Sequence, residues 1–337
     1  MKKGLSRPDF VVKEPNRRAC VPTSKLAISR AEICVTVISM SSASFKKILA
    51  KRNDSVCHDR GNVTLRKLSG SQQAVTTDTR ELMQRFADSV KKTSSILCVG
   101  LDPPVVSNPR KRLSRILPSH FGSLTARHVK SIIHKTRPHA AAFKVNLAFY
   151  LARGAKGIDL LLRVRDWTGD TPLILDGKFN DIDNTLEGYA TFAASAGATA
   201  VTGSPYMGED FSPFIAKGIP VFVLGTTTNN PDVQGLQLVS DAGTLARHVA
   251  LKVSDRPADY GLVVGHDAAS MRELCPETWF LSPGLGAQGK KETEILRGLR
   301  PDGLGLLVNA SRSIWTAMDP AAAAQKIATS LVHSRMG

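Results

Sequence analysis

Eight short apolar runs, each closed by polar residues, constrain this sequence more than anything else in it. They are Ile96–Leu101, Ala141–Val145, Pro172–Leu175, Ala198–Val201, Pro220–Leu224, Gly261–Val264, Thr278–Leu281 and Leu304–Val308. None alternates apolar with polar residues, as expected for parallel strands buried on both faces. Helix-like sequence lies between most of them. Asp183–Ala193, for example, has an Asp/Asn start and apolar residues at helical spacing. Eight βα units in roughly 240 residues have the size and rhythm of a (β/α)8 (TIM) barrel. An earlier helix is expected from near Thr79, with Leu82, Phe86 and Val90 on one face.

The polar residues at the run ends strengthen the barrel reading. The runs lead into Asp102, Lys144, Asp176/Lys178, Thr202/Ser204, Thr226, His266/Asp267, Ser282/Gly284 and Asn309/Arg312. In a barrel all strand C-termini meet on one face, which carries the active site. A doubly wound sheet binds ligands at a switch point and does not call for polar residues at every strand end.

The first 77 residues read differently. They lack sustained periodicity and are rich in Ser, Lys, Arg and Asn, so a mostly disordered basic extension (1–77) before a barrel domain (78–337) is expected. The chain's net charge is +16, and residues 1–77 hold +10 of it. The excess that would suggest nucleic acid therefore lies outside the expected catalytic fold, and no RNA-binding motif accompanies it. The five cysteines form no CxxC pair, which argues against a disulfide framework or a zinc site and for a reducing compartment, the cytoplasm. No apolar run approaches the ~20 residues of a membrane span. The basic start lacks the apolar core of a secretory signal. Organelle targeting by it stays open, although Asp9 and Glu14 count against it.

Two groups of residues carry chemistry. Asp176 and Lys178 are two apart on a strand, so both side chains should share a face, with Asp181 in the loop beyond. Lys144 ends the preceding strand, about 5 Å away. Lys144, Asp176, Lys178 and Asp181 could therefore form an alternating-charge array at the barrel mouth; such residues are seldom buried unless paired. The second group is the Gly-rich stretch Ser282–Lys290 after strand 7, with Arg312 after strand 8, the usual phosphate site of such barrels. Glycines let backbone N–H groups approach a phosphate, and a guanidinium grips it with two donors.

These motifs, Gly-Leu-Asp102, Phe-Lys144-x-Asn146, Asp176-x-Lys178-x-x-Asp181-Ile, Pro283-Gly284-Leu-Gly-Ala-Gln288-Gly and Asn309-x-x-Arg312, resemble in order those of orotidine 5′-monophosphate decarboxylases. The resemblance runs from about Met83 to Trp315. Phe143–Tyr150 and Tyr206-Met207-Gly208 look most like the variant of protozoan parasites and some bacteria. The resemblance implies conversion of orotidine 5′-monophosphate to UMP, the last step of de novo pyrimidine biosynthesis, with no metal or other cofactor. It implies that Asp102 and Lys144 hold the ribose with Asn146 nearby, that Asp176 faces the substrate carboxylate, and that Lys178 protonates C6. Thr202, Ser204 and Gln288 would contact or cover the pyrimidine. Pro283, Gly284, Gln288, Ser311 and Arg312 would surround the phosphate. Asp181 and Thr185 would reach into a partner's site, making a homodimer, and an orotate phosphoribosyltransferase is a candidate associate. Two departures stand out: Phe179-Asn180 where the family often has Arg-Gly, and His266-Asp267 at the sixth strand end, where a small or neutral residue is commoner.

Two other readings compete. Mg2+-dependent sugar-phosphate decarboxylases or synthases share the Asp-x-Lys-x-x-Asp motif but need an additional acidic ligand. A basic nucleic-acid-binding protein is the alternative from another class; it predicts a strongly salt-dependent affinity lost with residues 1–77.

Overall fold

The computed structural model describes residues 83–102, 126–208, 210–227, 239–240, 243–284 and 292–336, together with the strand pairing of 57–59 and 62–64. Contacts divide the chain into two units, Met1–Val75 and Thr76–Gly337. In the first unit, β1 (Cys57–Asp59) and β2 (Asn62–Thr64) pair antiparallel. The rest of the extension, whose disorder the sequence predicts, lies outside the described residues.

The second unit is a closed barrel of β3 (Leu97–Gly100), β4 (Ala142–Asn146), β5 (Leu173–Phe179), β6 (Ala200–Gly203), β7 (Val221–Thr226), β10 (Tyr260–Val264), β11 (Trp279–Ser282) and β12 (Leu306–Ala310). Every neighbouring pair is parallel, and β12 closes onto β3 through Val308, Asn309 and Ala310. All eight expected runs are strands of this barrel. Their residues are buried almost throughout because helices cover the outer face while side chains fill the lumen. A short antiparallel pair, β8 (Val239–Ser240) with β9 (Gly243–Thr244), lies outside the barrel order.

Helix α1 (Gln84–Thr93) precedes the first barrel strand and buries Phe86 and Val90, two of the three residues expected on its apolar face; Leu82 lies outside the described residues. The Phe86 ring meets Phe222 at 5.6 Å and Trp279 at 5.9 Å, near the N-terminal ends of β7 and β11. The helix therefore packs at the base, away from the strand C-termini. Helices α2 (Ala126–Thr136), α3 (Leu147–Leu151), α4 (Ala155–Thr168) and α5 (Asp183–Ser195) follow the first strands. The expected Asp183 helix is α5, which buries Leu186, Ala190 and Ala193 at helical spacing. Then come α6 (Ser212–Ile215), α7 (Leu245–Ser254), α8 (Ala268–Leu274), α9 (Glu292–Leu296), α10 (Arg312–Trp315) and α11 (Pro320–Met336). No described helix is long and apolar enough to cross a membrane.

Candidate active site

The C-terminal ends of β3, β4 and β5 bring a chain of four charges together. Asp102, just past β3, accepts the Asn146 backbone N–H at Oδ1 (3.0 Å) and faces Lys144 Nζ with Oδ2 (3.5 Å). Lys144 Nζ donates to Asp176 Oδ2 at 3.0 Å, and Lys178 Nζ to Asp176 Oδ1 at 2.6 Å. The order is Asp102–Lys144–Asp176–Lys178, alternating in sign. The Lys144 side chain is 6% exposed and that of Asp176 10%, whereas Lys178 is 49% exposed. The array thus runs from a desolvated interior to an ammonium at the mouth.

Electrostatics makes the buried part permanent. Burial disfavours the charged form of both Lys144 and Asp176. For Lys144 the carboxylates of Asp102 and Asp176 outweigh burial and raise its pKa. For Asp176 the ammonium groups of Lys144 and Lys178 outweigh it and hold the carboxyl well below the usual range. Cys98, two residues before Gly100 on β3 and wholly buried, has its thiol pushed up to about 12, chiefly by burial, and stays protonated near neutrality.

Asp102 is held from behind. Gly100 O accepts the Trp315 indole N–H at 2.7 Å, and Leu101 O accepts the Tyr150 hydroxyl at 3.1 Å. Gly100 itself leaves no room for a side chain: a Cβ there would lie 2.8 Å from Ser311 Cβ and 2.9 Å from Asp102 Oδ2. Glycine at this position lets the β12 end close against β3.

The β5 end departs from regular strand. Leu175 pairs with Val201 and Phe179 with Gly203, so Asp176, Gly177 and Lys178 bulge opposite Thr202 alone. Lys178 has φ +49°, a left-handed conformation rare outside glycine. The two charged side chains therefore do not meet through simple two-residue alternation; a bulge and a left-handed turn bring them to 2.6 Å. Phe179 anchors the segment, its ring packing on Tyr189 at 5.0 Å and Phe214 at 5.3 Å. A Cβ on Gly177 would lie 2.4 Å from that ring, so the residue between the two charges has to be glycine.

Beside β3, just past the end of β12, Ser311 takes the N-cap position of α10, and its buried hydroxyl has no hydrogen-bond partner among the described residues. Asn309 Oδ1 is likewise buried and unpartnered, while its Nδ2 donates to Pro283 O at 3.3 Å. Arg312 is exposed, and among the described residues its guanidinium makes no ion pair or hydrogen bond. Among the described residues, a side chain at Gly284 would meet no atom within 4 Å.

Comparison with known proteins now decides among the barrels that could carry such a site. A family model described as the orotidine 5′-phosphate decarboxylase / HUMPS family matches residues 95–327. The chain belongs to this family. An orotidine 5′-phosphate decarboxylase from Porphyromonas gingivalis is 36% identical over 250 residues, covering 70% of this chain and 87% of the relative. One from Halorubrum lacusprofundi is 39% identical over 249 residues, covering 68% and 86%. The structure of Leishmania donovani OMP decarboxylase matches with a TM-score of 0.64 at 32% identity, over 76% of this chain and 99% of that one.

Within the family frame, the residues expected from sequence separate by location. Asp102, Lys144, Asp176, Lys178 and Thr202 are joined by direct contacts. Asn146 sits beside them, its backbone on Asp102 and its side chain capping α3 through the Ala148 N–H. Pro283, Gly284, Ser311 and Arg312 gather at the β11 and β12 ends, where Ser311 adjoins Gly100 at the Asp102 end of the array. Asp181 accepts the N–H of Ile182 at 2.8 Å and, among the described residues, makes no ion pair with the array; Thr185 is exposed in the first turn of α5. Gln288 lies outside the described residues. Ser204 takes part through its backbone, donating to Phe179 O at 2.8 Å. Sequence reading missed the supports Tyr150 and Trp315, which no motif spacing marks as polar contacts.

Proposed function

We propose that the chain decarboxylates orotidine 5′-monophosphate to UMP, the final step of pyrimidine nucleotide biosynthesis, with protein groups alone supplying the chemistry. The observation that carries this reading is the alternating array, buried at Lys144 and Asp176 and ending in the half-exposed ammonium of Lys178. Loss of CO2 breaks the C6–carboxylate bond and leaves the electron pair on C6, where no adjacent carbonyl can delocalise it. A fixed ammonium beside C6 stabilises that charge and then transfers a proton to it; the neutral amine regains a proton from water. Asp176 holds Lys178 in place and sets like charge against the departing carboxylate, a contribution by ground-state destabilisation. Asp102 and Lys144 hold the ribose hydroxyls. Arg312, with the backbone around Pro283, Gly284 and Ser311 and with Gln288, grips the phosphate, whose remote binding energy is expressed in the transition state.

The rival Mg2+-dependent chemistry is disfavoured by how the carboxylates are used. Asp176 Oδ1 takes Lys178 and Thr202, and its Oδ2 takes Lys144. Asp102 gives its oxygens to Asn146 N–H and Lys144. Carboxylates committed to ammonium groups are poor ligands for a divalent cation. Orotidine 5′-monophosphate consumption, followed by absorbance, should proceed at the same rate with EDTA present. No turnover, or turnover restored only by Mg2+, rejects the reading.

A homodimer with shared sites completes the proposal. Leu151, Ile182, Tyr206 and Met207 are exposed apolar residues on the segments following β4, β5 and β6, three adjacent strands, and Asp181 and Thr185 flank Ile182. A second copy is the occupant that fits, with Asp181 completing its neighbour's array. Asp181→Ala and Arg312→Ala should each be very weak, while subunit exchange between them should restore about a quarter of wild-type activity, since half the dimers then have one intact site of two. No restoration despite confirmed exchange puts Asp181 in its own subunit's site or in none. We assign activity to residues 78–337, so a chain starting at residue 78 should keep wild-type kcat/KM and Tm; a large loss in either means that residues 1–77 pack on the barrel. The cysteine pattern supports a reducing compartment, the cytoplasm in our reading. An orotate phosphoribosyltransferase is the associate that we propose alongside this activity.

A further inference from the structure

We propose that Thr202 is a positioning residue that sets the proton donor: its hydroxyl holds both the Asp176 carboxylate and the left-handed backbone of Lys178, and does not serve as a pyrimidine contact. This rests on the reading of Lys178 as proton donor. The Thr202 hydroxyl donates to Asp176 Oδ1 at 2.8 Å and accepts the Lys178 backbone N–H at 2.9 Å. Thr202 is 2% exposed. Its single proton is committed to a carboxylate that is already ionised, so none is left to donate to a substrate carbonyl.

Three features make this bridge more than a chance contact. Thr202 is the lone β6 residue facing the three-residue bulge Asp176–Lys178. That bulge leaves the part-buried Lys178 N–H without a strand partner, and the Thr202 hydroxyl supplies one. The left-handed conformation of Lys178 persists only if its surroundings hold it. Flanking contacts from the same β6 end fix the segment beyond: Ser204 N–H to Phe179 O at 2.8 Å and Met207 N–H to Asn180 Oδ1 at 3.2 Å. The end of β6 is thus a jig for β5. One hydroxyl sets where the Lys178 chain starts, at its backbone, and where its ammonium ends, at Asp176 Oδ1. A misplaced proton donor slows transfer to C6 while leaving the ribose and phosphate contacts intact.

The test uses the full chain with Thr202→Val, which keeps the β-branched shape and loses the hydroxyl, and Thr202→Ser, which keeps the hydroxyl. Thr202→Val should lower kcat by roughly 30-fold or more while KM and the Kd for UMP stay within about 3-fold, because only an interaction expressed at the reacting carbon is lost. Thr202→Ser should recover kcat to within about 3-fold of wild type. A crystal structure of Thr202→Val should show Lys178 out of the left-handed region or its ammonium off Asp176. Wild-type kcat in Thr202→Val, or equal losses in kcat and UMP affinity that serine does not rescue, overturns the assignment. If the wild-type chain itself fails to decarboxylate, the functional reading falls. The positioning claim is then judged by the Lys178 conformation in Thr202→Val: an unchanged φ overturns it and a relaxed one supports it.

Discussion

Two cations withdrawn from water, Lys144 at the mouth of the barrel and Arg272 at its base, are stabilised by opposite means. Lys144 lies between the carboxylates of Asp102 and Asp176, which raise its pKa despite burial. Arg272 reaches carbonyl oxygens: Gly298, Cys275, Pro276, Thr278 and Gly305 accept its N–H groups at 2.7–3.1 Å, and its guanidinium stacks 3.8 Å from the centre of the Phe280 ring. Burial, with the charge of Arg300, pulls its pKa down to about 10, so it too stays protonated near neutrality. Thr278 and Gly305 immediately precede β11 and β12, so this cation ties together the strand starts. At the base, a fixed fork gathers backbone carbonyls around the strand starts, adding a second donor at Gly305 O, which also accepts the Phe280 N–H. At the mouth, full charges are set against one another in a small volume. That arrangement costs desolvation and leaves a preorganised field where a reacting carbon can meet it. In the proposed mechanism, the charge that binds the backbone serves the fold, and the charge that meets other charge serves the reaction.

The largest effect expected from this contrast is at the outer end of the array. Lys178→Ala should abolish decarboxylation, to below about 10⁻³ of wild-type kcat, while UMP still binds, because in the proposed mechanism the ammonium acts on C6 and not on the phosphate. Single-turnover absorbance and equilibrium UMP binding check the two halves. Near-normal turnover removes Lys178 from the mechanism and makes the array structural, like the base.

Arg272→Met tests the other side. Its loss removes the hydrogen bonds to five backbone carbonyls and the stacking on Phe280, so stability should fall by roughly 3 kcal/mol, on the order of 10 °C in Tm for a barrel of this size. The folded fraction should keep wild-type kcat/KM. Thermal melts and active-site-normalised kinetics decide it. A fall in kcat without a fall in Tm would place Arg272 in the reaction and erase the distinction between mouth and base.

The same contrast separates what the sequence shows from what it hides. The barrel was legible because a strand buried on both faces needs an unbroken apolar run, and Ile96–Leu101 or Leu304–Val308 can hardly be read otherwise. The charged mouth was legible because Lys144 and Asp176 interrupt such runs at their ends. The route by which Asp176 meets Lys178 was not. Period-two alternation gives the right pairing for the wrong reason, since the bulge and the +49° φ depend on the β6 register, which is a tertiary fact. Thr202 stood among the expected pyrimidine contacts, and its engagement with Asp176 and the Lys178 N–H shows only once the two strands are side by side. Tyr150 and Trp315 are buried, and nothing in their sequence setting marks a polar role. Their polar atoms matter because the carbonyls before Asp102 happen to face them. Arg272 sits in an ordinary surface-type pattern, Ser-Met-Arg-Glu, and nothing there announces its carbonyl ligands.

The smallest effect concerns pH and comes from the signs of the shifts. Asp176 is held below the usual carboxyl value of 3.8, so its contribution is fully present above that value and is lost as pH falls through the lower, folded one. Lys144 is raised above 10.5, so its contribution is complete below that value and is lost as pH rises through the higher, folded one. Neither group titrates in between. The stability difference between wild type and Lys144→Met should therefore stay constant to within about 0.3 kcal/mol from pH 6 to 9, bending only below about 5 and above about 10. Taking the difference cancels the histidines and other groups that titrate alike in both chains. Arg272 carries the opposite sign: its pKa is lowered on folding, so its charge opposes folding at neutral pH and that opposition eases only at strongly alkaline pH. Above about pH 10 the two differences from wild type, for Lys144→Met and for Arg272→Met, should bend in opposite directions. Denaturant melts at half-unit intervals resolve this. A slope inside the pH 6–9 window for Lys144→Met would mean that one member of the array changes charge there, and the mouth could not then present a fixed field to the substrate.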